Sequence, residues 1–226
     1  MAILDEILDS ADGVLLKPDR PAFPPNSFFL QHRGKGEVQL TATHIGAGEG
    51  RMGWSFCLSF AMGDDVELSA AELGLEAGSV GVAWRRSNLE PFQVAASALQ
   101  RFGPGKPPLS FAMQNKERDW GLYTYWRTAP TSCDGKGWTL LGEMEKLISV
   151  SPQRVTAVET TCGSAPTMRV DVAGQPGEKV VLSFLGPEAG SEAAAVTMVE
   201  LVLGAGGTAS ASCHASACSQ QQQPSA

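Results

Sequence analysis

The chain has no surplus of positive charge. Its 17 Lys and Arg stand against 24 Asp and Glu, a net charge of −7, and the basic residues are scattered rather than grouped. The concentrated positive field that captures a phosphate backbone is missing, so nucleic acid is excluded as a partner. No apolar run approaches the roughly 20 residues that cross a bilayer. The acidic opening MAILDEILDS lacks the basic stretch and cleavage site of a secretory signal. These two absences exclude a membrane and make the cytoplasm the expected location.

Histidine is scarce: His32, His44 and His214 are all there is, and none sits in a nucleophile context such as G-x-S-x-G. Nucleophilic catalysis therefore has no support. Cysteine is odd in number, at five, and Cys57, Cys133 and Cys162 lie far apart, so no disulfide framework suggests itself and reduced thiols are the simpler reading. His44 and Cys57 could meet across a hairpin, and Cys213, His214 and Cys218 place three soft ligands close together. A structural zinc site closes with four ligands, however, and an isolated cysteine is more often a small buried hydrophobe. No metal and no cofactor is expected.

What the chain does have is length and alternation. Its 226 residues, 43% of them hydrophobic, suffice for one sizeable core or two small β modules. In WGLYTYWRTAP, Trp120, Leu122, Thr124 and Trp126 alternate with Gly121, Tyr123, Tyr125 and Arg127, as a half-buried strand requires. After breakers at Pro130, Asp134 and Gly135, a second strand starts at Trp138. Trp120, Trp126 and Trp138 make this region the expected core, since each large aromatic buries about 150–250 Å².

Strand signals recur along the rest: Phe28–Leu30, Glu37–Thr43, Trp54–Phe60, Val66–Ser69, Val80–Arg85, Phe92–Ala95, Leu109–Met113, Gln153–Thr161, Thr167–Ala173, Lys179–Leu185 and Val196–Leu203. Loops rich in Gly, Pro, Asp and Ser separate them. Within the series, MRVDVAGQPGEKVVLSF reads as the clearest hairpin. GAGEGRMG, residues 46–53, is glycine-rich but lies between two strand signals with no helix after it, so it reads as a hairpin loop and not a phosphate cradle. The pattern predicts an all-β antiparallel sandwich. Residues 1–30 form a short helix, near 2–9, and a proline-rich connector; 31–203 form the sandwich, in one or two packed modules; 204–226, small and polar, read as a disordered tail. Deleting residues 205–226 is then expected to change little.

Two groups of residues carry any chemistry. Glu143 and Glu145, two apart at a strand end and beside Lys146, read as a solvated edge rather than an acid/base pair. Tyr123, Tyr125 and Arg127 share one strand face, where two rings and a guanidinium suit the stacking and hydrogen bonding of a sugar. The competing reading is that this face covers a sheet or meets a neighbouring domain.

DGVLLKPDRPAFPPNSFF, residues 12–29, resembles the segment that leaves the catalytic barrel in the raffinose synthase and α-galactosidase group of glycoside hydrolases. RTAPTSCDGKGWTLLGEMEKLISV, with its Ala129-Pro130 pair, is similar to a late segment of the all-β region that follows that barrel. VTAVE, MRVDVAGQPGE and VVLSFLG match the order of its closing strands. The resemblance covers roughly residues 1–203 in layout, on short apolar motifs. It implies that the catalytic aspartates lie on an upstream barrel, and no position here matches either of them. The chain is then expected to be the non-catalytic C-terminal β domain of such an enzyme, with Met1 an internal methionine. A carbohydrate-binding module and an interaction domain without a sugar ligand are the alternatives. A domain parted from a barrel should carry an apolar patch, whereas the alternatives should present a mostly polar surface.

Overall fold

The computed structural model describes residues 16–22, 38–46, 51–60, 66–71, 73, 75, 78–86, 99–111, 123–187, 196–215 and 217–221. The expected helix at 2–9 and the expected strands Phe28–Leu30 and Phe92–Ala95 lie outside them. The described residues are strands and turns, every strand pair is antiparallel, and the fold is all-β and sandwich-like, as the alternation predicts.

The first sheet holds β1 (Arg20–Ala22), β2 (Val38–Ile45), β3 (Met52–Phe60), β5 (Gly81–Arg86), β6 (Gln100–Phe102) and β8 (Tyr123–Pro130), in the order β1-β2-β3-β8-β5-β6. β2 and β3 pair antiparallel with Ile45 opposite Met52 at one end, and residues 47–50 of the glycine-rich stretch lie outside the described residues. β4 (Val66–Leu68) pairs with β7 (Leu109–Phe111) beside this sheet. Leu68, Leu73, Leu75, Phe102 and Leu109 bury one of its faces over Ala83 and Trp126. The opposite face carries Trp54, Phe56, Val82, Trp84 and Tyr125 into the main core. β8 is thus covered on both sides, not half-exposed.

Past β8 the chain turns through Ser132–Gly135, with Cys133 and Asp134 at positive φ, and enters β9 (Thr139–Gly142). Trp138 and Leu140, expected in the core, are wholly buried there. The remaining strands are β10 (Val155–Thr161), β11 (Thr167–Ala173), β12 (Lys179–Leu185), β13 (Val196–Val202), β14 (Thr208–His214) and β15 (Ala217–Gln221). They form two sheets, β10-β11-β14-β15 and β13-β12-β9. Met168, Val170 and Val172 of the first meet Val180, Leu182 and Phe184 of the second in the same core that underlies the six-stranded sheet. The indole N–H of Trp54 donates to the Leu140 carbonyl at 2.8 Å and ties the six-stranded sheet to β9.

Three expectations are corrected. β11 and β12 are not a hairpin: β11 pairs with β10 and β14, β12 with β13 and β9, and residues 174–178 arch between the sheets. Period-2 alternation fixes which side of a strand is apolar but not which strand lies beside it. The supposed disordered tail contains β14 and β15, and β14 pairs with β11 along its full length. Its small residues are buried, Ala209, Ala211 and Cys213 entering the core. The thiols are not all reduced, because Cys133 is bonded to Cys162 and Cys213 to Cys218.

Candidate functional site

The polar side chains of greatest interest converge on the loop that follows β9. Gly142 ends that strand at φ 85°, where the loop doubles back so tightly that a side chain would strike the Ser149 backbone. The Glu143 amide donates to the Ser149 carbonyl at 2.8 Å and closes the loop. Two side-chain systems hold it, one from the six-stranded sheet and one from the sandwich beyond.

From the sheet come Tyr125 and Arg127, two residues apart on β8. The Tyr125 hydroxyl donates to the Leu147 carbonyl at 2.7 Å. The Arg127 guanidinium donates to the Met144 carbonyl at 3.0 Å and to the Lys146 carbonyl, with its central carbon 5.6 Å from the Tyr125 ring centre. Tyr125 and Arg127 are 7% and 1% exposed, so the sugar-stacking face expected from the sequence is turned inward at both. The loop carbonyls occupy the donors that a sugar would need. For Tyr123 the described structure gives its place on β8, opposite Phe60.

From the sandwich comes Arg154, which precedes β10 and is 1% exposed. Its Nε donates to Glu143 Oε1 at 2.9 Å, and its terminal nitrogens reach Glu178 and the Ala173 carbonyl. Gly174 leaves room for this guanidinium, as a side chain there would collide with both Arg154 and Glu178. Glu143 is consequently neither a solvated edge nor paired with Glu145, which is exposed on the loop. The junction ties the ends of β9, β10 and β12 at one point.

Burial is the largest influence on Glu143 and pushes its pKa up from 4.5; the Arg154 charge and hydrogen bond pull it down without reversing the shift. Burial also opposes the Arg154 charge most strongly, but the hydrogen bonds and charges of Glu178 and Glu143 together outweigh it and push that pKa up. A carboxyl with a raised folded-state pKa binds its proton more tightly in the folded protein. Its effect is a loss of folding stability as pH rises from about 4.5 through the folded pKa. Glu143→Gln keeps an oxygen for Arg154 and is expected to flatten that loss, read as melting temperature against pH. An unchanged profile would assign the titration to another group.

The other candidates separate. His44 lies 3.3 Å from both carboxylate oxygens of Asp19, which Arg51 also approaches at 4.0 Å, and this cluster fastens the segment before β1 to the β2–β3 hairpin. Cys57 pairs with Leu40, four residues along β2 from His44, a separation of roughly 13 Å at strand spacing. Cys213 and Cys218 are consumed in a disulfide, which removes two of the three soft ligands considered around His214. His32 lies outside the described residues. No group of three or more His, Cys, Asp and Glu positioned for a metal occurs among the described residues.

Sequence reading missed Arg154 and Glu178. They lie 11 and 35 residues from Glu143, and nothing local to SPQRV or PGEKV signals that fold topology will join them. No family model, curated protein or solved structure matches the chain. No described helix is long and apolar enough to cross a membrane.

Proposed function

We propose that this chain is a non-catalytic β domain of an enzyme acting on α-galactosides, of the raffinose synthase and α-galactosidase kind, and that its partner is that enzyme's catalytic barrel. The observation that carries the reading is the outer face of β12 and β13. Val181, Met198 and Val202 are 41%, 73% and 45% exposed there, and are the large hydrophobic residues exposed among the described ones. Val181 stands opposite Glu200 and diagonal to both Met198 and Val202, so the three surround the Glu200 carboxylate, which pairs with Lys179 at 3.2 Å. Clustered exposed apolar groups suit a face that meets another domain. The resemblance of the segments around Ala129-Pro130 and of the closing strands supplies the enzyme class.

The carbohydrate-binding alternative rests on Tyr123, Tyr125 and Arg127, and the inward use of Tyr125 and Arg127 weighs against it. The cytoplasmic location expected from the missing membrane span and secretory signal is weighed against by the two disulfides, which persist mainly in oxidising compartments. The purified chain is expected to release no nitrophenol from p-nitrophenyl α-galactoside and to give no binding heat with galactose or raffinose. Turnover would overturn the non-catalytic assignment. Saturable sugar binding would favour the binding-module reading instead.

A further inference from the structure

The hairpin of β14 and β15 has an unequal division of support. β14 is paired with β11 on one side and buries its five central residues. Among the described strands β15 pairs only with β14, and four of its five residues are exposed. Two features attach β15 beyond its backbone ladder. Cys218 is bonded to Cys213, the residue directly opposite it. Gln220, two residues on and on the same side of the strand, bridges to the other sheet: its amide nitrogen donates to the Val202 carbonyl at 3.1 Å and its oxygen accepts from the Val202 amide at 3.4 Å. In doing so it occupies the backbone groups at the open edge of β13 that a neighbouring strand would use. β15 therefore closes the side of the sandwich where both sheets end.

We propose that the Cys213–Cys218 bond is a redox clasp on this edge: its reduction by a dithiol reductant frees β15 and Gln220 while the sandwich stays folded. Cys213 is wholly buried and Cys218 partly exposed, so the incoming thiolate attacks the Cys218 sulfur. The disulfide breaks, a mixed disulfide forms on Cys218, and Cys213 leaves as a thiolate that takes up a proton. The second thiol of the reductant then displaces Cys218, and two electrons have passed from the dithiol to the protein. The Cys213 thiol remains as a small buried hydrophobe on β14, which β11 still holds. β15, with little apolar surface buried, keeps only its short ladder and the two exposed Gln220 bonds to Val202, and opens locally. Opening bares the edge of β14 and the Val202 position of β13.

The test is backbone hydrogen exchange of the full chain, oxidised and after dithiothreitol treatment, in a Cys133→Ser, Cys162→Ser background so that one disulfide alone responds. The Cys213→Ser, Cys218→Ser variant, with the other disulfide intact, mimics the open form without reductant. The expected result is exchange in residues 217–221 faster by roughly tenfold or more, with β10 to β13 unchanged, a local opening. Equal protection of 217–221 in both states would overturn the clasp. Loss of protection throughout the sandwich would overturn it too, making the bond an ordinary structural staple. If the background variant fails to fold, reduction of the unaltered chain followed by thiol mapping and exchange gives the same discrimination.

Discussion

Truncation after Leu203 is expected to abolish cooperative folding. The removed stretch contains β14, an interior strand with seven residues paired to β11, and β14 sends Ala209, Ala211 and Cys213 into the core against Met168, Val170 and Val172. It also removes the Gly207 carbonyl that accepts from Gly174 at 2.9 Å. That bond steadies the arch between the two sheets, beside Arg154. Losing a buried strand together with this anchorage takes away more than about 5 kcal/mol, which is comparable to the whole stability of a typical domain. Urea unfolding followed by tryptophan fluorescence checks it, since Trp54, Trp84 and Trp138 are buried. A truncated chain with a sharp transition near the parent midpoint would contradict the placement of β14.

Arg154→Ala is expected to be the most damaging single substitution at the ionic junction. It would leave the Glu143 and Glu178 side chains, 9% and 8% exposed, facing each other without a cation. Breaking a buried ion pair by removing one partner costs about 3–5 kcal/mol, and two stranded carboxylates put this case at the upper end. The Ala173 carbonyl loses its guanidinium donor as well. The triple change Arg154→Met, Glu143→Gln, Glu178→Gln should recover much of the loss, because it removes the charges together. Equilibrium unfolding of the parent, Arg154→Ala and the triple variant separates these outcomes. A small effect from Arg154→Ala alone would mean that the junction is hydrated and not a fastening of the sandwich.

Most strands were legible because alternation is a local property. β11 and β12 lie at the residues expected, and β2, β3, β8, β10 and β13 differ from expectation only at their ends. What could not be read is how strands associate. The turn at 174–178 has the composition of a hairpin, yet it arches, because the apolar sides of β11 and β12 face one another across the core instead of lying side by side. The closing strands were misread for a different reason. TASASCH carries no bulky side chain, and composition does not signal that an interior place between β11 and β15 buries its small residues.

The candidate site was legible in its residues and not in its orientation. Tyr125 and Arg127 do share a strand face, as the alternation indicated. That face points into the core because β8 lies between β3 and β5 in the middle of a six-stranded sheet, with the Glu143–Ser149 loop laid over it. Arg154 had no sequence signal, since its partners come from the end of β9 and the arch before β12, which only the fold brings together.

The central claim is that this β structure serves a catalytic barrel, and full-length transcript sequencing upstream of the codon for Met1 tests it most directly. The expected result is an open frame continuing into alternating strands and helices, with aspartates at strand ends. A frame closed by a stop codon just upstream, in a transcript that encodes this chain alone, would contradict it.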